Sequence, residues 1–312
     1  MANTALSIVT SSSLWTKIRA WWHGYDVDMS DEPQPRPTPK AAPQRHPSGV
    51  ADWTPERIQA IQRIFGDGAD GPRAFMRTSE MIKPLGMNES MSIIEVGAGI
   101  GVGLRVIAGQ SGAWVDGVDN EPALIEEARR QVSRDGLQKK AIPVKAGLDH
   151  PGLQRHRRDV IISREALHRF PERTLILKQV RGLLKPTGQF LYTDYLLGPQ
   201  ADRAAIDAWC NLHPERPILV DAAQARKELT DLGFDVRVAK DETDGYCAAA
   251  MEAIQLFASS LKRDPVPHEI REWVMWEVEY WARTVSALES GGLRLYRFHA
   301  VAPIEDEDKG LG

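Results

Sequence analysis

The chain has 312 residues, of which 42% are hydrophobic, so it can bury a sizeable core as one large domain with additions or as two small domains. Its formal net charge of −4 offers no basic surface for phosphates, so no nucleic-acid partner is expected. Two cysteines cannot form a metal cluster alone, and no metal site is predicted.

No apolar run reaches the roughly 18 consecutive residues that a membrane span requires. A charged segment followed by an unbroken apolar segment, as in a secretory signal peptide, is also not recognisable at the N-terminus. We therefore expect a cytoplasmic protein.

The first predicted element is a short amphipathic helix within residues 1–28. Its apolar residues recur at helical spacing, while Lys17 lies off their stripe. The stripe consists of Leu14, Trp15, Ile18, Trp21, Trp22 and Tyr25. Residues 12–25 are expected to dock on their own catalytic domain or in a homodimer, on another protein, or on a membrane surface, and the sequence leaves these alternatives open.

A proline-rich segment, residues 29–52, follows and is predicted to be a flexible linker, because it is poor in large apolar residues. The main domain is predicted over residues 53–304, with an acidic tail over residues 305–312. It begins with two helices, Pro55–Phe65 and Pro72–Ile82.

Strands and helices then alternate, which predicts an α/β fold with a largely parallel sheet and helices on both faces. The predicted strands are Ser92–Val96, Ala113–Val118, Ala141–Lys145, Asp159–Ser163, Gln189–Asp194, Phe234–Val238 and Gly292–Ala302. A helical insert over residues 241–290, interrupted at Pro265 and Pro267, precedes the last strand. It is expected to lie over the carboxyl ends of the strands, where an acceptor would bind.

A glycine-rich loop joins the first strand of this alternating region to the helix that follows. Gly97, Gly99 and Gly101 allow a ligand to approach the backbone, and the helix N-terminus offers free N–H groups. The dinucleotide fingerprint G-x-G-x-x-G requires glycine at position 102 or 104, where this chain has Val102 and Leu104. The spacing therefore disfavours a nicotinamide cofactor.

Asp119 ends the second strand, eighteen residues after Gly101. A carboxylate at this position can accept hydrogen bonds from both hydroxyls of a ribose. Alternatively, it caps the helix that begins near Glu121. Further along the chain, the fourth strand and its helix are followed by the turn Leu184–Gly188.

Together, the loop Glu95–Gly101, the strand ending at Asp119 and the turn Leu184–Gly188 resemble the class I S-adenosylmethionine (SAM)-dependent methyltransferases. The resemblance implies a seven-stranded Rossmann-like sheet and SAM as cofactor. It also implies that the glycine loop surrounds the methionine part of SAM and that Asp149 reaches the adenine. An ordinary acidic residue of a loop is an equally good interpretation of Asp149. The implied cofactor-binding residues are Glu95, Gly97, Ala98, Gly99, Gly101, Asp119, Asn120, Asp149 and Ser163.

The segment Ser163–His168 resembles the small-molecule amine methyltransferases, including the phosphoethanolamine N-methyltransferases. This resemblance implies that Glu165 binds a cationic amine and that His168 accepts a proton, while a merely structural His168 at the edge of its helix is the alternative. The acid-to-histidine spacing is one residue shorter here, and the family's phosphate-binding Tyr/Arg pattern is not recognisable. These departures argue against a phosphorylated acceptor. A nitrogen or oxygen of a small molecule is the expected methyl acceptor.

Aromatic residues of the insert form a second stripe, Trp273, Trp276 and Tyr280, beside an ordinary core stripe. This stripe is expected to pack in the core or in a dimer, and the alternative is that it covers a substrate. Two other functions stay open: a lipid or quinone methyltransferase that reaches a membrane through its N-terminal helix, and a SAM-binding regulatory protein that docks on a partner.

Overall fold

The computed structural model describes residues 11–22, 53–199 and 203–304, and these residues contain a seven-stranded sheet. Its strands are β1 (Ser92–Val96), β2 (Trp114–Asp119), β3 (Ala141–Lys145), β4 (Arg158–Arg164), β5 (Leu184–Leu197), β6 (Asp235–Asp241) and β7 (Leu293–Val301). Their spatial order is β3-β2-β1-β4-β5-β7-β6, and β7 is antiparallel to both of its neighbours. The predicted α/β fold with a largely parallel sheet is confirmed.

Ten α-helices accompany the sheet in the described part of the chain. They are α1 (Ser11–Trp22), α2 (Pro55–Phe65), α3 (Ala74–Ile82), α4 (Val102–Ser111), α5 (Pro122–Arg134), α6 (Arg173–Leu183), α7 (Arg203–Cys210), α8 (Ala222–Asp231), α9 (Thr243–Ser260) and α10 (Arg271–Glu289). Successive side chains of a strand point to opposite faces, so Ile93 packs with α3 and α4 while Ile94 packs with α6. Helices therefore cover both faces, as the sequence predicts.

The helices α9 and α10 form the insert between β6 and β7. Their apolar faces pack with α1, α2 and α7 in a separate hydrophobic cluster, which meets the sheet at Tyr195 and Leu295. Because β7 runs antiparallel, its beginning and the end of β5 lie at the same edge of the sheet. The insert therefore covers the carboxyl ends of the parallel strands, as expected.

The two largest differences from the sequence prediction concern α7 and β5. The sequence analysis leaves residues 203–210 without an element, but they form α7, a short helix that buries Ile206, Trp209 and Cys210. In addition, β5 starts at Leu184 rather than at Gln189, because the strand continues through the turn that contains Thr187. Thr187 has a φ of 61°, a left-handed conformation that glycine would adopt without strain.

The N-terminal helix α1 packs on the chain's own insert, in contact with α9. Leu14, Trp15 and Ile18 are buried in the same cluster as the insert helices. The prediction that Lys17 lies off the apolar stripe is wrong, since its side chain is buried as well. The predicted linker over residues 29–52 and the acidic tail over residues 305–312 lie outside the described residues.

Among the described helices, none has the length and apolar character that crossing a membrane requires.

Replacing Ile18 by aspartate is expected to detach α1 from the insert. Ile18 is fully buried, and an unpaired carboxylate at this position costs several kcal/mol. Limited proteolysis should then cut the N-terminal segment at least about tenfold faster, since undocking by 1.4 kcal/mol gives that factor. Thr16→Asp, at an exposed position of the same helix, is the control. Equal cleavage rates for both variants would contradict the docking.

Candidate cofactor and acceptor site

The glycine loop between β1 and α4 is shaped by left-handed backbone conformations. Gly97 has a φ of 71° and Gly101 a φ of 86°. A Cβ atom on Gly97 would lie 2.5 Å from the Cβ of Ala166, which is far inside van der Waals contact. Glycine is therefore required at position 97 both by its conformation and by the close approach of the segment after β4.

Asp119 joins this loop to the neighbouring helix. Its Oδ2 accepts a hydrogen bond from the backbone N–H of Gly99 at 3.0 Å, and its Oδ1 accepts one from the N–H of Glu121 at 3.0 Å. The carboxylate is thus held at the carboxyl end of β2, facing the glycine loop and the start of α5. Asn120 and Asp149 are exposed near the same edge.

Two of the predicted cofactor residues lie beneath the loop rather than on its surface. Glu95 is fully buried, and its Oε1 accepts a hydrogen bond from Arg164 Nε at 3.0 Å. Ser163 is fully buried too, and its hydroxyl donates to the carbonyl of Val96 at 3.1 Å. Burial raises the pKa of Glu95, an effect that Arg164 opposes. Both side chains are therefore in position to shape the loop, whereas the sequence resemblance had placed them around the cofactor.

Asp70 is a component of the site that sequence reasoning missed. Its Oδ2 accepts a hydrogen bond from Arg164 Nη2 at 3.1 Å and would lie 3.5 Å from a Cβ on Gly99. Burial lowers the pKa of Arg164, but Asp70 and Glu95 hold it above its usual value overall. Arg164 therefore fastens the segment before α3 to the glycine loop.

Glu165 is paired with an arginine. Its Oε1 accepts hydrogen bonds from Arg77 Nη2 at 2.9 Å and from Thr193 Oγ1 at 2.8 Å. Burial raises the pKa of Glu165, yet Arg77 and Arg164 bring it below its usual value, so the carboxylate stays ionised. The resemblance implied that this carboxylate binds a cationic amine, but here its charge is already neutralised by Arg77.

His168 lies just after β4 and is fully buried. Its Nδ1 is 2.6 Å from Asp194 Oδ1, and Arg173 Nη1 donates to Asp194 Oδ2 at 2.9 Å. A carboxylate accepts hydrogen bonds, so Nδ1 carries the proton and Nε2 of the neutral ring presents a lone pair. Burial lowers the pKa of His168 below its usual value, because its effect is larger than the opposing effect of Asp194. Within the described chain, Nε2 has no hydrogen-bond partner.

Aromatic rings surround His168, and we call this group the aromatic enclosure: Tyr195, Trp209, His213, Tyr246 and Tyr280. Tyr195, Trp209 and His213 have ring centroids 5.3, 5.6 and 5.7 Å from that of His168. Tyr280 contacts His213 at 5.7 Å, and the hydroxyls of Tyr195 and Tyr246 are 2.7 Å apart. The enclosure therefore combines residues from β5, α7, α9 and α10 beside the turn that carries His168.

The second aromatic stripe of the insert points inward. Trp276 stacks on Tyr280 at 5.5 Å, and the Arg57 guanidinium lies between the rings of Trp53 and Trp276. Arg57 Nε also donates to Glu277 at 2.8 Å in a buried ion pair. The stripe thus packs in the core of the insert, as expected, where it connects α10 to α2 and places Tyr280 in the aromatic enclosure.

Sequence reasoning found His168 but missed Trp209 and His213. Both belong to the region of α7, which the sequence analysis left without an element. His213 follows that helix directly, and its ring contacts Trp209 at 4.4 Å. The helical i, i+3, i+4 spacing of the apolar residues Ile206, Trp209 and Cys210 is the one signal that could have revealed the helix.

Comparisons with known proteins agree with this geometry. Residues 71–238, more than half of the chain, match a family model described as a methyltransferase domain. The phosphoethanolamine N-methyltransferase 1 of Zea mays is 25% identical over 64% of this chain and 39% of its own length. The chain therefore spans about two fifths of that curated relative.

Solved structures share the fold. The Haemonchus contortus phosphoethanolamine N-methyltransferase 2, in complex with phosphomonomethylethanolamine and S-adenosylhomocysteine, superposes with a TM-score of 0.67 at 19% identity, over 79% of this chain and 57% of that one. A putative sarcosine dimethylglycine methyltransferase from Galdieria sulphuraria gives a TM-score of 0.63 at 14% identity, over 80% of this chain and 98% of that one. The matched family segment contains the glycine loop, Asp119 and His168, and the chain thus belongs to the class I SAM-dependent methyltransferases.

Proposed function

We propose that the protein transfers a methyl group from SAM to a nitrogen or oxygen atom of a small molecule, with His168 as the proton acceptor. The observation that carries this proposal is the buried Asp194–His168 pair, in which Nε2 of His168 has no hydrogen-bond partner among the described residues. His168 follows by two positions Ala166, which closely approaches Gly97. A base is thereby held beside the loop that is expected to bind the methyl donor.

The residues of the loop fit SAM. At Gly99 the backbone is accessible to the methionine part, since among the described residues only Asp70 Oδ2 lies within 4 Å of its Cβ position, and Asp119 is held where it can accept hydrogen bonds from ribose hydroxyls. SAM supplies an electrophilic methyl group on a good leaving group, so positioning and exclusion of water provide most of the acceleration. Asn120 and Asp149 remain candidates for contacts with the adenine.

The chemistry of His168 follows from its partners. Asp194 fixes the Nδ1–H tautomer and orients the ring, which directs the lone pair of Nε2 away from β5. When Nε2 takes the acceptor's proton, the imidazolium that forms is stabilised by Asp194. Arg173 balances the charge of Asp194 in the resting protein, so the buried carboxylate is paired before the reaction.

The aromatic enclosure is proposed as the acceptor site. It lies against His168 and beneath the insert, and its rings provide apolar area with polar tips for a small molecule. The packing of α1 on the insert is evidence against the membrane-associated alternative, since Leu14, Trp15 and Ile18 are covered. The regulatory alternative gives no reason for a buried, oriented base.

A Gly97→Ala substitution is expected to weaken binding of S-adenosylhomocysteine (SAH) at least about tenfold. The added methyl group would collide with Ala166, and alanine at a φ of 71° is strained by roughly 1–2 kcal/mol. Calorimetry measures the affinity. Gly136→Ala is the matched control, because Gly136 has the same φ of 71° with open space around its Cβ position. A folded wild-type protein that does not bind SAH would refute the proposed function.

The methyl-transfer rate should fall at acidic pH only below the folded-state pKa of His168, which is lower than the usual 6.5. The groups that face its ring are Asp194, Glu165, Arg169 and His213. Asp194→Asn removes the charge that raises this pKa, so the acidic limb should move to still lower pH. The maximal rate should also drop about 10²–10⁴-fold, because the tautomer is no longer fixed.

SAH release from SAM in a metabolite extract measures this profile. His168→Gln is expected to abolish the acidic limb, and His156→Gln, at an exposed histidine, is the control that should leave it unchanged. An unaltered limb in His168→Gln would show that another group is the base.

A further inference from the structure

We propose that the aromatic enclosure selects an uncharged acceptor, a hydroxyl compound with an apolar body, whose oxygen is held between His168 and His213. This inference rests on the proposed function and specifies its substrate class. It assigns His213 as a second positioning residue of the acceptor site.

The first argument comes from the two imidazole rings. Nε2 of His168 and Nε2 of His213 are both buried and have no hydrogen-bond partner within the described residues. Leaving such a group unpaired costs about 1–3 kcal/mol, so each nitrogen favours a ligand that pairs with it. The two rings are perpendicular, with centroids 5.7 Å apart and an interplanar angle of 88°. A hydroxyl can serve both, donating to His168 Nε2 and accepting from the Nε2–H of a neutral His213 ring.

The second argument comes from charge. Three carboxylates interact with the titratable side chains of His168 and the aromatic enclosure: Glu165, Asp194 and Glu277. Each is paired with an arginine, Glu165 with Arg77, Asp194 with Arg173 and Glu277 with Arg57, at 2.9, 2.9 and 2.8 Å. A cationic ammonium group could contact the aromatic rings here, but none of these three carboxylates is unpaired and able to balance its charge.

The potential at His213 supports the same conclusion. Burial, with His168, Arg169 and Arg57 acting in the same direction, lowers the pKa of His213 to about 2. The ring therefore stays neutral, and the positive groups around it disfavour a second cation. A neutral hydroxyl meets neither obstacle.

The transfer step balances in atoms and charge. The acceptor oxygen uses a lone pair to form a bond to the methyl carbon, while the methyl–sulfur bond of the sulfonium breaks and its electron pair stays on sulfur. The hydroxyl proton moves to His168 Nε2. The positive charge of the sulfonium is thus replaced by that of an imidazolium, which Asp194 stabilises.

The test uses the full-length protein saturated with SAH and a pair of probes that share one carbon skeleton, benzyl alcohol and benzylammonium. Near neutral pH, calorimetry or NMR titration should show that the alcohol binds at least about tenfold more tightly, a difference of about 1.4 kcal/mol. His213→Phe should weaken the alcohol about five- to tenfold, and His213→Gln should restore most of the affinity because its amide keeps a donor and an acceptor.

His156→Phe is the matched control, since it makes the same change at an exposed histidine. The SAH affinity and the melting temperature of each variant show whether the fold is intact. Tighter binding of benzylammonium, absence of alcohol binding, or alcohol binding that His213→Phe leaves unchanged would overturn the inference. SAH binding by the same wild-type sample separates this result from a failure of the proposed function, which would abolish that binding too.

Discussion

Asp194 is a fully buried carboxylate near the carboxyl end of the interior strand β5, and its need for partners organises the acceptor side of the molecule. An unpaired charge at this position would cost several kcal/mol, so the groups that neutralise it are fixed in place. Arg173 binds it from the first turn of α6 and also reaches Glu228 of α8. His168 binds it from the turn after β4. One carboxylate thereby sets the position of two helices and of the proposed base.

Arg164 has the corresponding role on the cofactor side. Its guanidinium lies between Glu95, at the end of β1, and Asp70, in the segment before α3. That segment also reaches the insert, since a Cβ on Gly71 would lie 3.8 Å from Trp281. The expected SAM loop and the walls of the aromatic enclosure are therefore linked through a short chain of contacts. The Arg57–Glu277 ion pair makes a second link between the insert and α2.

The parts that the sequence predicted are those that depend on local order along the chain. The apolar strand β1, the glycines after it and the acid at the end of β2 follow from periodicity and from what glycine permits. The site's ion pairs depend on distant residues, and the pair Arg164–Asp70 joins positions 94 apart. The pairing of Glu165 with Arg77 spans 88 positions, which explains why the motif alone suggested a free carboxylate.

The helix α7 shows a second limit of sequence reasoning. Its eight residues are too few for a clear helical period, and its stability comes from burying Trp209 against α10, where the indole Nε1 donates to Thr284 at 3.1 Å. His213 follows this helix, so its position next to His168 could not be predicted once the helix was missed. His168 itself could be predicted from its motif. The motif around the proposed base thus carries more information about the class of reaction than about the substrate specificity.

The same distinction governs what the relatives imply about the acceptor. The fold is shared with a phosphoethanolamine N-methyltransferase, but the match to the maize protein spans 39% of that protein's length at 25% identity. In our proposal, substrate choice depends on whether the acids beside the aromatic enclosure are free or paired, and a single arginine at position 77 changes the charge that Glu165 presents. Because a buried charge must be compensated by either the protein or the ligand, an enclosure that compensates its own acids has less use for a cationic substrate. The chemistry of methyl transfer can therefore be conserved in this fold while the charge of the acceptor is not.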